Sequence, residues 1–140
     1  MATLQIEAIE SLAQLESFSR SELIEVIAAG LPSELARELA SKLEINMEDM
    51  AILLRLTPRT WHRRLEQGRL GLAESERLWE LTELFFRAAD VLGNQGEAAQ
   101  WFKSPIQALG WVAPLSFARS SVGIRELERI LGRIEHGVFS

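Results

Sequence analysis

A Thr-Pro step that follows directly on an amphipathic helix constrains this chain more than any other feature. In residues 47–68, MEDMAILLRLTPRTWHRRLEQG, apolar side chains at Met47, Met50, Ala51 and Leu54 recur at i, i+3, i+4 and i+7, the spacing of a helix with one buried face. Asn46 stands where it can cap that helix, and Glu48 and Asp49 fall in the first turn, where the helix dipole favours acids. Leu56 and Thr57 form a short break, and Thr57-Pro58 restarts a helix, because threonine caps and proline suits the first helical position. Two helices across so few residues make a helix-turn-helix.

On the second helix Trp61 and Leu65 are one turn apart and point inward, which leaves Arg59 and Arg63 on the opposite face, flanked by Thr60, His62 and Arg64. Arginine is the commonest reader of guanine edges in the major groove, and the N-terminal part of a recognition helix is the part that reaches bases. Arg59, Thr60 and Arg63 are therefore the candidate base contacts, with His62 beside them. Arg55, Arg64 and Arg69 are placed for phosphates, which position a protein without reading sequence. Arg55 occupies the turn position where many such motifs carry glycine. A pair of short helices is common in proteins that never touch DNA, and the charge distribution decides between the two readings. The chain is acidic, with net charge −5 and a pI near 5.1. Yet residues 55–69 hold five Arg against one Glu, between a segment of −7 before them and one of −4 in residues 70–100. A basic island confined to the recognition helix is the footprint of a DNA reader.

The rest of the chain reads as helix. Residues 1–18 carry Leu4, Ile6, Ile9, Leu12, Leu15 and Phe18 in no clear period and form an N-terminal arm. Ser19 with Glu22 is a capping-box pair opening a helix to about Ala29, which Gly30 can end. Pro32 and Ser33 start the next, with Leu35, Leu39 and Leu43 on one stripe. The longest helix spans about residues 73–92 and is ended by Gly93; Leu78, Leu81, Phe85, Ala88 and Leu92 make one stripe, Trp79 and Phe86 a second. The second stripe suits either burial against another chain or a helix central to its own domain. Residues 96–103 form a short helix stopped by Ser104-Pro105, residues 106–114 an apolar, turn-rich stretch. Pro114 begins a short helix, and Ile124, Leu127, Leu131 and Ile134 mark a last one, with Arg125, Arg129 and Arg133 on another side. No strand of convincing alternation occurs, so the expected architecture is all-α. The expected divisions are an arm over 1–18, a helix-turn-helix domain over 19–72, and a helical dimerisation and binding domain over 73–140.

Over most of its length the chain resembles the Xre/MbcA/ParS-type antitoxins. The residues that carry the resemblance are TPRTWHRRLEQG, LAESERLWEL followed by RAADVLG, AAQWF, SPIQALG, and the ending APLSFARSSVGIRELERILGRIEHGVFS. Trp111 departs from it, standing beside Gly110 where a small residue is expected. The resemblance implies an Xre-like helix-turn-helix bundle followed by a small toxin-binding domain. It further implies a type II toxin-antitoxin system whose toxin is a RES-domain enzyme that consumes NAD. In such relatives the C-terminal region covers the toxin's NAD site, which carries over here to Trp111, Arg133, Glu135, His136, Gly137, Val138, Phe139 and Ser140. The partners expected are therefore a cognate toxin, operator DNA and a second copy of the chain.

Composition narrows the alternatives. With no Cys, disulfides and thiolate metal sites are excluded. No apolar run approaches the roughly 20 residues of a membrane helix, and the N-terminus lacks a signal-peptide layout, so the expected location is the cytoplasm. An enzyme is disfavoured: His62 and His136 offer no metal-ligand spacing, and there is no nucleophile elbow and no phosphate-cradling glycine loop. No cofactor and no metal are expected. The alternative to an autoregulating antitoxin is a stand-alone transcriptional regulator with a C-terminal dimerisation module.

Overall fold

In the computed structural model, residues 9–137 are described. They form α1 Leu12–Glu16, α2 Arg20–Ala29, α3 Glu34–Leu43, α4 Met47–Leu53, α5 Pro58–Gln67, α6 Leu72–Leu92, α7 Gln95–Lys103, a 3-10 turn Gln107–Leu109, α8 Pro114–Phe117 and α9 Ser121–Glu135. The architecture is all-α: among the described residues β pairing is limited to isolated bridges, Pro32 with Arg69 and Ile106 with Val112. The chain divides into two compact units, residues 9–41 with 45–79, and residues 42–44 with 80–137.

In the first unit the caps form as the sequence dictates. Ser19 Oγ accepts from the Glu22 amide at 3.1 Å while the Glu22 carboxylate accepts from the Ser19 amide at 2.8 Å, so two otherwise orphaned donors at the start of α2 are satisfied. Asn46 caps α4, accepting from Asp49 N at 2.8 Å, and Thr57 caps α5, accepting from Thr60 N at 3.2 Å. The stripe on α3 is buried at Leu35, Leu39 and Leu43. On α4, Met50, Ala51, Leu53 and Leu54 are buried but Met47 is half-exposed, because it opens the helix at its solvent end. The described part of the N-terminal arm belongs to this unit: Leu12 and Leu15 are fully buried, and the Leu12 amide donates to Glu38 on α3 at 2.8 Å. Residues 1–8 of the expected arm lie outside the described residues.

Gly30 ends α2 at φ +96°, and a Cβ there would stand 2.3 Å from the Leu70 carbonyl oxygen. That close approach lets the Leu70 amide donate to Leu31 O at 2.8 Å and the Ser33 amide to Gly68 O at 3.1 Å, so the strand-like pairing after α5 is tied to the chain entering α3.

The first unit ends at Trp79, inside α6, whereas the sequence placed the division at residue 73. The reason is polar. In the first two turns of α6, Glu74, Ser75 and Arg77 are buried and bond back to the helix-turn-helix: Glu74 to Arg64, Ser75 Oγ to the Leu31 amide at 2.9 Å, and Arg77 Nη2 to the Leu53 carbonyl at 2.9 Å.

The second unit is assembled around aromatic rings. Phe85 on α6 meets Phe86 edge-on with centroids 5.9 Å apart and stacks with Phe102 of α7 at 6.4 Å, and Trp101 meets Phe102 edge-on at 5.0 Å. Of the second α6 stripe, Phe86 is thus engaged within the chain, with the Lys42 ammonium 5.9 Å above its ring. Asn94 caps α7 and Ser120 caps α9, each side chain accepting an amide three residues on. The turn between α8 and α9 depends on Gly123, because a Cβ built there would sit 1.7 Å from the Phe117 carbonyl oxygen. We expect Gly123→Ala to destabilise the protein by about 3 kcal/mol or more, since backbone rather than a flexible side chain must move. Urea denaturation checks this, and an unchanged midpoint would refute the close approach.

Candidate nucleic-acid interface and C-terminal surface

On α5 the inward anchor is Trp61, 4% exposed, with Leu65 half-buried beside it. The rotation of 100° per residue then turns Arg59, His62 and Arg63 outward, and all three are exposed. Thr60 is half-buried, its hydroxyl 3.1 Å from that of the capping Thr57. His62 stands on the rim of an apolar groove of about 450 Å³ between α4 and α5, whose lining includes Met47, Ile52, Leu56 and Pro58.

The turn between the two helices is left-handed at Arg55, φ +62°. The backbone therefore adopts the conformation glycine would give, at a steric cost of about 1–2 kcal/mol for a residue that carries a Cβ. The Arg55 amide donates to Ile52 O at 3.0 Å and the Leu56 amide to Ala51 O at 2.9 Å, which holds the turn. Arg55 is exposed at that corner.

Arg64 and Arg69, read from sequence alongside the other arginines, are placed differently. The Arg64 guanidinium is half-buried and paired with the Glu74 carboxylate, whose side chain is 8% exposed. Arg69 lies along the end of α2, with Nη1 3.5 Å from the Ala29 carbonyl oxygen. The basic island thus separates into an outward set, Arg55, Arg59 and Arg63, and two arginines drawn toward the fold. Burial works to raise the Glu74 carboxyl pKa, but the hydrogen bonds from Arg64, from the Gly71 amide and from its own amide, together with the Arg64 charge, outweigh it and hold it below the usual carboxylate range. Sequence reasoning missed Glu74. The signal was there in Gly71 followed three residues later by Glu74, a capping pair whose amide-to-carboxylate bond is 2.9 Å.

In the second unit the C-terminal candidates cluster at the end of α9. His136 follows the last helical residue and is exposed, its Nε2 4.0 Å from the Glu135 carboxylate. Glu135 accepts from Arg87 on α6 at 3.1 Å, and Arg133 stands 3.8 Å from Glu126. Gly137, exposed at φ +70°, donates its amide to Ile134 O at 3.1 Å, and so closes the helix in the left-handed manner typical of C-termini. Val138, Phe139 and Ser140 lie outside the described residues. Trp111 sits elsewhere in the chain, after Gly110, 67% exposed and left-handed at φ +65°. Arg87 was not among the sequence candidates; nothing in a lone arginine on a long helix announces a carboxylate 48 residues on. Among the described residues there is no group of three or more His, Asp or Glu able to hold a metal ion, and no helix long and apolar enough to cross a membrane.

The family model of the antitoxin Xre-like helix-turn-helix domain matches residues 22–83. That of the antitoxin Xre/MbcA/ParS C-terminal toxin-binding domain matches residues 87–137. The Antitoxin Xre of Photorhabdus laumondii subsp. laumondii is 29% identical over 126 residues, which cover 89% of this chain and 85% of that protein. The Antitoxin Xre of Yersinia enterocolitica is 38% identical over 79 residues, 56% of this chain and 53% of that protein. A protein named Prs ADP-ribosylating antitoxin, from a Sphingobium species, is 24% identical over 127 residues, 84% of this chain and 80% of its own length.

The Arg64–Glu74 pair makes an acid-sensitive contribution to stability. Because the folded Glu74 carboxyl has a lowered pKa, its contribution is complete above the unfolded value near 4.5 and is lost as pH falls through the folded value. Arg64→Ala should cost about 1–3 kcal/mol at neutral pH. The gap to wild type should then narrow in urea titrations repeated below pH 4.5. A gap of constant size at every pH would show that Arg64 acts through packing and not through the carboxylate.

Proposed function

Because the chain belongs to the Xre-type antitoxins by both of its matched domains, we propose that it neutralises an NAD-consuming, RES-domain toxin through its C-terminal unit and represses its own operon through α5. It is an antitoxin with a helix-turn-helix and a toxin-binding domain, and its partner is a cognate toxin. The observation that carries the rest is the outward arginine set. In an acidic chain, Arg55, Arg59 and Arg63 are exposed on the turn and recognition helix of a helix-turn-helix, which is the electrostatics a phosphate backbone selects. Arg59 and Arg63 are the base readers, with Thr60 and His62 beside them, and Arg55 a phosphate contact. Arg64, paired with Glu74, and Arg69, beside the end of α2, are the remaining phosphate candidates.

The toxin contact runs from the end of α9, Arg133, Glu135, His136 and Gly137, into Val138, Phe139 and Ser140, with Trp111 as a further point. The choice of an NAD-consuming toxin is supported by the name of the Sphingobium relative, since ADP-ribosylation uses NAD as its donor. The chain acts by binding and has no catalytic role of its own. A homodimer serves the DNA contact, because two half-sites double the phosphates neutralised. Operator and toxin would both be met in the cytoplasm.

Cellular NAD, measured while the neighbouring gene product is expressed alone and then with this chain, tests the toxin assignment. NAD should collapse in the first case and recover in the second. If NAD never moves, the RES assignment fails and a stand-alone regulator becomes the reading. Arg59→Ala or Arg63→Ala should reduce discrimination between operator and random DNA by about 1–3 kcal/mol. Equal weakening on both DNAs would instead reassign those side chains to phosphate. Deleting residues 136–140, beyond the last helical turn, should release the toxin and leave operator affinity unchanged. Full neutralisation by the truncated chain would move the contact off the tail.

A further inference from the structure

We infer that Trp111 is a rigid aromatic anchor for the protein toxin, held in a conformation that the fold alone would not select. This rests on the antitoxin reading above and names the chemistry of its contact surface. Gly110 and Trp111 are successive left-handed residues, at φ +69° and +65°. For glycine that conformation is free of strain, whereas a large L side chain crowds the neighbouring carbonyl and lacks the short polar group with which Asn or Asp relieves it. Such strain is tolerated in a core when burial of the ring offsets it. Here Trp111 is 67% exposed and Val112 next to it 41% exposed, so burial of the indole does little to offset the strain.

The backbone is nevertheless firmly set. Trp111 N donates to Ile106 O at 2.9 Å, Ile106 N to Val112 O at 3.3 Å and Gly110 N to Gln107 O at 3.0 Å, while Leu109 turns inward at 9% exposure. The loop therefore holds an indole outward on a closed frame, and little ordering entropy remains to be lost when the ring is gripped.

Charge identifies the partner's class. Residues 104–118, SPIQALGWVAPLSFA, contain no Asp, Glu, Lys or Arg. The segment itself offers a polyanion no cation to hold, and a protein pocket that is apolar with one acceptor for the indole N–H fits it better. The segment also lies inside the stretch matched as a toxin-binding domain.

The test compares full-length wild type with Trp111→Gly, Trp111→Asn and Trp111→Phe, using calorimetric binding to the purified product of the neighbouring gene. Trp111→Gly and Trp111→Asn suit the left-handed backbone. Both should melt at the wild-type temperature or up to about 5 °C higher, while their affinity for the toxin drops about 30-fold or more. Trp111→Phe keeps the apolar ring and should bind within about tenfold of wild type. Operator affinity should be unchanged in all three. If wild type binds and Trp111→Gly binds equally well, Trp111 is no anchor and the antitoxin reading stands. If Trp111→Gly and Trp111→Asn both melt well below wild type, the ring serves the fold and the inference fails. A variant that keeps toxin affinity but changes self-association in sizing experiments overturns it in favour of a second copy of the chain. Should wild type itself not bind, both readings fall together.

Discussion

The helix-turn-helix unit depends on three buried polar side chains in the first two turns of α6. Glu74 accepts from Arg64 of α5, Ser75 accepts from the Leu31 amide between α2 and α3, and Arg77 donates to the Leu53 carbonyl at the end of α4. The Leu31 amide and the Leu53 carbonyl are buried backbone groups at helix boundaries, where loss of a partner costs about 1–3 kcal/mol, and the half-buried Arg64 adds a charged pair from within α5. Apolar stripes bring these helices together, but they are tolerant of small rotations. Directional bonds from one short segment to three others fix the angle at which α5 is presented.

Much of this was legible in the sequence, because capping is local chemistry. Ser19, Asn46 and Thr57 each do at their helix starts what their side-chain oxygens allow, and the apolar periods of α3, α5 and α6 turned the expected faces inward. What was not legible is long-range pairing of charge. Arg64 and Arg63 are adjacent residues of one type, and only the placement of Glu74 makes one a structural side chain and leaves the other facing water. The Arg87–Glu135 pair is hidden in the same way. The compact units part after Trp79 and not at residue 73 for a related reason: the beginning of α6 looks like the start of a new helix but packs as the last wall of the unit before it.

Among the described residues three other than glycine are left-handed, Glu44, Arg55 and Trp111, and they differ in what surrounds them. Glu44 follows α3, where the Ile45 amide donates to Ala40 O at 3.0 Å, and its conformation is the ordinary way for a helix to end. Arg55 and Trp111 stand at the two corners where the chain turns with a large side chain outward. Positive φ at a bulky residue is uncommon; Arg55 is among the residues proposed to meet phosphate, and Trp111 among those that the family resemblance carries over as toxin contacts.

The internal pairing of Arg64 has a consequence for how a protein of this kind changes its target. Structural duty on α5 falls on Trp61, Leu65 and Arg64, whereas Arg59, His62, Arg63 and Glu66 face outward. The outward positions are thus nearly uncoupled from folding free energy. If α5 reads DNA as proposed, a lineage can change the sequence it selects at those sites by single steps, each leaving an intact scaffold, and a designed library confined to them would sample new specificities without first having to be rescued for stability.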